Sequence, residues 1–264
     1  MKVLKFGGTS VGSSKNINNV ISILENYGKS DTVVCVVSAV GGITDKLLLA
    51  GNQALNKDHN FLETYEDIVS KHFDLIKELN PTDSKTILGY VEERLRGLKR
   101  LLECIYLINE LSPKTSDKLV SYGELLSSFI IAETMKNRGL SANRKNSQEL
   151  IITNSNFSKA EVDYSITNEN IKGYFKTVQE DITILPGFIS KSKIGEITTL
   201  GRGGSDFTAA IVAAALDVDQ LEIWTDVSGM FTTNPKLVKQ AYPIDKISYQ
   251  EAMELSHFGA KVLY

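Results

Sequence analysis

A lysine stands directly before a glycine turn near the start of the chain. Lys5 is the only charged residue in the apolar run 3–6, and the segment GGTS follows at 7–10. Glycines let a backbone approach an anion closely, and the N-terminus of a following helix presents unpaired N–H groups to it. Lys5 would then reach the phosphates of a bound nucleotide. The alternative is an edge or solvent-facing strand position, which strand alternation also permits.

Two further glycine segments share this context, with a strand pattern before them and a helix pattern after them. They are GGIT at 41–44 and GRGGS at 201–205. Each alone is more often structural, because turns use glycine for positive φ. Three such loops, placed at the carboxyl ends of strands in one sheet, predict a common crevice for a polyphosphate. None matches the Walker A pattern GxxxxGK[ST], and GRGGSD breaks the dinucleotide pattern GxGxxG at its last position.

Asp206 follows the third loop, in the first turn of the next predicted helix. A carboxylate there either complements the helix dipole or positions a lysine or a substrate ammonium, and the sequence leaves both roles open. The three histidines, His59, His72 and His257, have no metal-ligand spacing, so we expect packing or surface roles for them. No protein metal site is predicted.

Strand and helix patterns alternate around these loops. Strand patterns occur at 3–6, 32–38, 150–153, 182–185, 196–200 and 220–225, and helix patterns at 17–28, 43–55 and 205–217, with a last helix opened by the capping-box match SYQE at 248–251. Residues 60–140 instead contain three amphipathic helix patterns, near 61–79, 84–108 and 116–138. The fold class predicted is α/β, with a mostly parallel sheet sandwiched between helices and a helical insertion at about 60–140.

The bulk composition narrows the classes of partner. The chain has 264 residues, 42% of them hydrophobic and 23% charged, which suits one large domain or two small ones. A net charge of −3 gives no reason to expect nucleic acid or a membrane surface as partner. No apolar run approaches the ~18 residues of a membrane span. We expect Cys35 and Cys104 to be buried free thiols of a cytoplasmic protein.

Six segments resemble the motifs of the aspartokinases, in the same order along the chain. They are KFGGTSVG at 5–12, VVSAVGGITDKL at 36–47, LVSYGELLS at 119–127, TTLGRGGSD at 198–206, WTDVSGMFTTNPK at 224–236 and FGAKVL at 258–263. The run SYQEAMELSHFGAKVL is similar to the kinase half of bifunctional aspartokinase/homoserine dehydrogenases. The resemblance implies the amino acid kinase fold and transfer of the γ-phosphate of ATP to the side-chain carboxylate of L-aspartate.

The resemblance also implies roles for single residues. Lys5 and Asp206 are expected to be catalytic, with Lys5 stabilising charge on the transferring phosphoryl group. The residues expected to bind ATP and its phosphates are Gly7, Gly8, Thr9, Ser10, Thr225, Asp226, Phe231, Lys236 and Lys261. Those expected to bind aspartate are Ser38, Thr44, Glu124, Phe188, Arg202 and Ser205. Arg202 offers a planar fork for the α-carboxylate, and Glu124 would hold the α-ammonium.

Two of these residues have structural alternatives. Glu124 also fits a capping box with Ser121, and Asp226 fits a turn residue in the segment DVSG. The segment at 231–236 departs from the usual YTTDPR of the family, because this chain has Phe231, Asn234 and Lys236. A tyrosine hydroxyl, a carboxylate and a bidentate guanidinium are therefore missing from the predicted ATP segment.

The expected chemistry needs no general base. An aspartate side chain, with a pKa of ~3.9, is already ionised at neutral pH. The protein must instead neutralise charge on the phosphoryl oxygens, with lysines, backbone N–H groups and Mg²⁺ bound mainly through the phosphates. Rival functions are another amino acid kinase, such as an acetylglutamate or glutamate 5-kinase, and a non-catalytic nucleotide-binding fragment.

The resemblance also suggests how the chain is divided. Residues 1–264 are expected to form one amino acid kinase catalytic domain, with 1–200 mainly binding aspartate and 201–264 mainly binding ATP. Aspartokinases continue beyond this point with a further strand and regulatory domains, so we expect the ATP-binding part to be incomplete at its C-terminus. A homo-oligomer is an option for the longer protein.

Overall fold

The strands and helices predicted for the first 55 residues are present in the structure. The computed structural model describes residues 1–79, 81–225, 229–233 and 238–257. Strand β1 spans Lys2–Phe6, helix α1 Ser14–Gly28, strand β2 Val33–Val37 and helix α2 Ile43–Leu55. Helix α1 begins where the Ser13 side chain accepts a hydrogen bond from the amide of Asn16. These boundaries agree with the sequence patterns, which are long and strongly periodic.

The middle of the chain consists of three long helices, as predicted. They are α3 at Phe61–Leu79, α4 at Ser84–Ile108 and α5 at Pro113–Asn137. Helix α5 begins three residues earlier than predicted. Pro113 occupies its first turn, where no N–H is needed, and Ser112 caps it through a hydrogen bond from the amide of Thr115. The proline therefore opens this helix.

The second half adds short strands and three α-helices, and the sequence patterns missed β3, β6 and α6 among them. Its elements are β3 Ala142–Arg144, a 3₁₀ turn Ser147–Glu149, β4 Ile152–Thr153, α6 Tyr164–Phe175, β5 Ile182–Pro186, β6 Ile189–Ser192, β7 Ile197–Thr199, α7 Gly204–Leu216, β8 Leu221–Trp224 and α8 Tyr249–His257. The capping box at the start of α8 is confirmed, because Ser248 and Glu251 exchange backbone-to-side-chain hydrogen bonds.

The described strands form two sheets. Five parallel strands make the larger sheet, in the order β3-β5-β2-β1-β8. The smaller sheet has the order β4-β6-β7 and contains an antiparallel pair. Strand β2 lies at the centre of the larger sheet, and all five of its residues are buried, because both faces of the sheet are covered. The predicted fold class is confirmed.

Side-chain alternation divides the larger sheet between two hydrophobic cores. Leu4 and Phe6 of β1 pack with residues of α1 to α5, whereas Val3 packs with residues of α6 and α7 on the other face. Lys5 follows the same alternation as Val3, so its side chain leaves the sheet on the side of α7. Lys5 is therefore placed to contact residues of α7.

One of the two cysteine predictions is wrong. Cys35 is a buried free thiol in β2, but Cys104 is an exposed free thiol on α4. Position 104 lies two residues after the buried Leu102 and one before the buried Ile105, so it falls on the outward face of the helix. No helix among the described residues is long and apolar enough to cross a membrane.

Candidate active site

A cavity of about 770 Å³ opens at the carboxyl ends of β1 and β2. Its other walls are the start of α2, one face of α5, and the segment that leads from β7 into α7. The predicted site residues that line it are Lys5, Gly8, Ser38, Thr44, Glu124, Phe188, Arg202, Ser205 and Asp206. The structure thus brings together both predicted catalytic residues and all six residues predicted to bind the amino acid.

Lys5 and Asp206 form an ion pair in this cavity. The Nζ atom of Lys5 lies 2.7 Å from Oδ1 of Asp206, and the two side chains are only 12% and 17% exposed. Asp206 lies in the first turn of α7, where the helix dipole also favours a negative charge. Asp206 therefore contacts a lysine, and it complements the dipole as well, so both roles that the sequence left open are compatible with its position.

The glycine loops at 7–10 and 41–44 contact each other backbone to backbone. A Cβ atom at Gly8 would lie 3.1 Å from the carbonyl oxygen of Ala39, and one at Gly41 would lie 3.1 Å from the carbonyl oxygen of Gly8. These two glycines are therefore needed for loop packing. Gly7 is different, because a Cβ there would lie 3.5 Å from Nζ of Lys5. Its lack of a side chain leaves space beside the ammonium group, which suits a phosphate oxygen.

Glu124 is a buried carboxylate that faces the cavity from α5. Its Oε1 accepts a hydrogen bond of 3.3 Å from the amide of Ala39, and its Oε2 has no hydrogen-bond partner among the described residues. Burial raises the pKa of Glu124 from 4.5 to about 8. The capping-box alternative is wrong, because residues 121–124 lie in the middle of α5 and the Ser121 hydroxyl donates to the carbonyl of Lys118. Glu124 is left available to a cationic group.

Phe188 and Ser205 are held in place around the third glycine loop. Phe188 has a left-handed backbone with φ of 67°, and its amide donates to the buried hydroxyl of Thr208 on α7. Left-handed backbone is costly for a bulky residue, so the surroundings must fix it. Ser205 accepts a 2.9 Å hydrogen bond from the hydroxyl of Ser38, which joins the end of β2 to the start of α7.

The residues predicted to bind the nucleotide are less closely grouped. Thr9, Ser10 and Thr225 line a second cavity of about 300 Å³, next to Trp224 and α1. Phe231 forms an antiparallel bridge with Pro243. Asp226, Lys236 and Lys261 lie outside the described residues. Of the residues predicted to bind the nucleotide, Gly8 lines the first cavity and Gly7 lies next to Lys5. The expected ATP contacts stay predictions.

Two features of the cavity were missed or misplaced by sequence reasoning. The third glycine loop follows β7, which belongs to the smaller sheet, so the expectation of three loops in one sheet is wrong. The loop reaches the cavity because the pairing of β6 with β7 carries it there. Asp117 of α5 was not singled out, although it lines the cavity. It lies seven residues before Glu124, and this spacing of two helical turns is the signal that reveals it.

The described residues contain no group of three or more His, Cys, Asp or Glu side chains that could hold a metal ion. His72 is fully buried in α3, and burial lowers its pKa from 6.5 to about 4, so it packs as a neutral side chain. Mg²⁺ commonly keeps several waters and binds through substrate phosphates. The space beside Lys5 and Gly7 suits a phosphate group that would bring the ion with it.

Sequence comparison places the chain among known enzymes. The profile of the amino acid kinase family matches residues 1–264. Aspartokinase 1, chloroplastic, of Arabidopsis thaliana is 36% identical over 269 residues, which cover 99% of this chain and 46% of that protein. Lysine-sensitive aspartokinase 3 of Escherichia coli is 36% identical, covering 99% of this chain and 57% of that protein. The chain thus spans about half the length of these relatives, and 33% of a bifunctional aspartokinase/homoserine dehydrogenase of Buchnera aphidicola.

Structural comparison gives the same grouping. A crystal structure of E. coli aspartokinase III in complex with aspartate and ADP superposes with a TM-score of 0.91 at 34% identity, covering all of this chain and 57% of that one. The form of that enzyme in complex with lysine and aspartate gives a TM-score of 0.87. An isopentenyl phosphate kinase, at 14% identity and a TM-score of 0.53, shares the fold alone.

Proposed function

The chain belongs to the amino acid kinase family, and from this premise we propose that it is the catalytic part of an aspartokinase. The reaction would be ATP + L-aspartate → ADP + 4-phospho-L-aspartate. The observation that carries the proposal is the charge layout of the 770 Å³ cavity, in which the Lys5–Asp206 pair and the buried carboxylate of Glu124 face one space. The similarity to aspartokinases over almost the whole chain supports the choice of aspartate.

The cavity offers a separate contact for each charged group of aspartate. Glu124 has a carboxylate oxygen without a hydrogen-bond partner in the described part of the chain, which would accept the α-ammonium, and Arg202 offers a guanidinium for the α-carboxylate. The pairing of Ser38 with Ser205, and Thr44 and Phe188 on the cavity wall, would confine the side chain. The side-chain carboxylate would then point toward Lys5, because the other two charged groups are held elsewhere. These contacts would convert a bimolecular encounter into a positioned reaction.

The chemical step would form one bond and break one. An oxygen of the aspartate side-chain carboxylate attacks the γ-phosphorus of ATP, the bond from that phosphorus to the β,γ-bridging oxygen breaks, and ADP leaves with the electron pair. No proton is transferred, since the attacking carboxylate is ionised at neutral pH. Lys5, fixed by Asp206, would stabilise the negative charge on the phosphoryl oxygens. Mg²⁺ bound through the phosphates would neutralise further charge.

Aspartyl phosphate formation is the direct test. The chain is incubated with MgATP and L-aspartate, and the acyl phosphate is trapped with hydroxylamine as its hydroxamate. Parallel reactions contain N-acetylglutamate or glutamate, and a Lys5→Ala variant serves as the inactive control. We expect the hydroxamate to form in the reaction that contains aspartate, and not in those that contain N-acetylglutamate or glutamate. Product with N-acetylglutamate or glutamate in place of aspartate would assign another amino acid kinase, and binding of ATP without any product would indicate a nucleotide-binding fragment.

The wider setting is part of the same proposal. Aspartyl phosphate formation would place the chain in amino-acid biosynthesis, as the first step from aspartate toward lysine, threonine and methionine. We propose the cytoplasm as its compartment, because Cys35 and Cys104 are both free thiols, which is typical of a reducing environment. We also propose a homo-oligomer, which would be tested by the size of the protein in solution.

A further inference from the structure

Asp117 is a buried carboxylate of α5 that the mechanism above does not use. Only 2% of the residue is exposed, yet it lines the cavity. Its partners are all uncharged groups. Oδ2 accepts hydrogen bonds from the amides of Ser158, at 2.8 Å, and Thr199, at 3.0 Å, and Oδ1 accepts one from the Thr199 hydroxyl, at 2.9 Å. A buried carboxylate that is fully occupied by three donors acts as a fixed joint between the segments that carry them.

The two segments joined by Asp117 meet directly before the third glycine loop. Thr199 is the last residue of β7, and its carbonyl accepts a hydrogen bond from Ala160 in the segment that contains Ser158. Ser158 itself has a left-handed backbone, with φ of 70°. A Cβ atom at Gly201 would lie 3.3 Å from the carbonyl oxygen of Ser158, so this segment also forms a wall for the loop. The start of the loop is therefore fixed from two sides.

Arg202 lies three residues after Thr199 on that loop, and no regular element separates them. Gly201 and Gly203 on either side of Arg202 both have positive φ, at 77° and 74°. Arg202 thus lies in a tight turn, in which the amide of Gly204 donates to the carbonyl of Gly201, and the segments at the two ends of the turn help to fix its position. On the far side, the loop enters α7, which carries Ser205 and Asp206. On the near side, the anchor is Thr199, and Asp117 holds it.

We propose that Asp117 is a positioning residue, which fixes the loop of Arg202 for recognition of an α-carboxylate. The inference rests on the proposed function. Asp117 and Glu124 lie two turns apart on one face of α5, so a single rigid helix would set the spacing between the group that binds the ammonium and the loop that binds the carboxylate. That spacing would select an α-amino acid over a dicarboxylate without an amino group.

Two substitutions at this position separate hydrogen bonding from charge. In Asp117→Asn the amide oxygen can accept from both backbone N–H groups, and the amide nitrogen can donate to the Thr199 hydroxyl, so the joint is kept and the charge is lost. In Asp117→Glu the charge is kept, but the extra methylene displaces the joint. We expect Asn to leave the KM for aspartate within about threefold of the unmodified chain, and Glu to raise it about ten- to a hundredfold. The KM for ATP should stay constant in both.

The measurements are steady-state hydroxamate assays with aspartate and ATP varied separately, together with calorimetric binding of L-aspartate. Thr199→Val removes one of the three hydrogen bonds and should raise the KM for aspartate a few-fold, which provides a reading even if Asp117→Glu does not fold. The proposal is overturned if Asn impairs aspartate binding as much as Glu, or if neither Glu nor Thr199→Val changes it. If the unmodified chain makes no aspartyl phosphate, the proposed function is refuted instead. Calorimetry then tests the role of Asp117 separately, because aspartate affinity should still be lowest in Asp117→Glu, intermediate in Thr199→Val and nearly unchanged in Asp117→Asn.

Discussion

The two walls of the cavity differ in whether their buried carboxylate has a cationic partner. On the wall formed by β1 and α7, Lys5 and Asp206 neutralise each other across 2.7 Å. On the wall formed by α5, Glu124 has no cationic partner among the described residues, and its pKa is raised to about 8. The first wall pairs a cation with an anion, whereas on the second wall burial favours the protonated form of a single carboxyl group.

This difference indicates what each wall meets. A preformed ion pair holds an ammonium group in one place without needing a ligand, which suits a group that must already be aligned when charge develops in a reaction. A buried carboxylate without a partner is unfavourable until a cation enters, so it favours a cationic ligand over a neutral one. The paired wall is thus suited to the phosphoryl group, and the unpaired wall to the substrate ammonium.

The largest effect is expected on the paired wall. Lys5→Ala should lower the turnover number about 10²- to 10³-fold, as loss of a group that stabilises transition-state charge does, with little change in ATP affinity. Lys2→Ala is the matched control, because Lys2 lies on the same strand and contacts Glu222 outside the cavity. Turnover is measured by the hydroxamate assay and ATP affinity by calorimetry. Near-normal turnover in Lys5→Ala would show that Lys5 has no role in the reaction.

A smaller and more selective effect is expected at Arg202. Arg202→Lys keeps the charge but loses the planar two-pronged geometry, so the KM for aspartate should rise about tenfold while the KM for ATP stays constant. Arg138→Lys, on the surface beside Asn18, is the matched control. Initial rates with each substrate varied in turn provide the measurement. A loss confined to ATP would assign Arg202 to the nucleotide.

The unpaired wall should make aspartate binding depend on pH. Because the pKa of Glu124 is about 8, binding of the ammonium below that pH must first remove a proton. Affinity should therefore rise up to about tenfold per pH unit between pH 6 and 8, and level off above. Titration calorimetry in buffers of different ionisation enthalpy measures the proton released. Glu124→Gln should bind weakly at every pH and release none; an unchanged pH profile in this variant would exclude Glu124 as the cause.

The same group predicts that folding stability depends on pH. Between pH 4.5 and 8 folded Glu124 holds a proton that the unfolded chain has lost, so its contribution is fully present below pH 4.5 and is lost as the pH rises through 8. The free energy of unfolding should fall by at most about 1.4 kcal/mol per pH unit over that range. Urea denaturation of the ligand-free chain and of Glu124→Gln gives the comparison. Equal slopes for both proteins would contradict the raised pKa.

Much of the fold follows from patterns that are local and long. The apolar spacing of α1, the buried run of β2 and the glycine turn after β1 each predict one structure over many residues. Strands β3 and β6 and helix α6 were missed for physical reasons. The two strands have three and four residues, and α6 buries only Thr167, Ile171 and Phe175 along one narrow stripe. Tertiary packing, more than pattern, stabilises such elements.

The site was predictable where a residue stands out from its own segment. Lys5 is a charge within an apolar strand, and Asp206 follows a glycine loop, so both could be found without the structure. Asp117 stands out less, because its sequence signal is only its spacing of two helical turns from Glu124, and its partners lie 41 and 82 residues further along the chain. Only the fold brings them together. The positions of Thr9 and Ser10 also needed the structure, because the sequence grouped them with Lys5 whereas they line the second cavity.

The contact between Gly8 and Gly41 has a consequence for redesign of this chain. Where two backbones touch without side chains, there is no rotamer that can absorb a displacement, so a shift in one loop passes directly to the other. A substitution that moves the loop beside Lys5 will therefore also move the loop that begins α2, and the reverse. A library that varies residues 41–44 would therefore displace residues 7–10 as well, unless both segments are varied in the same clones.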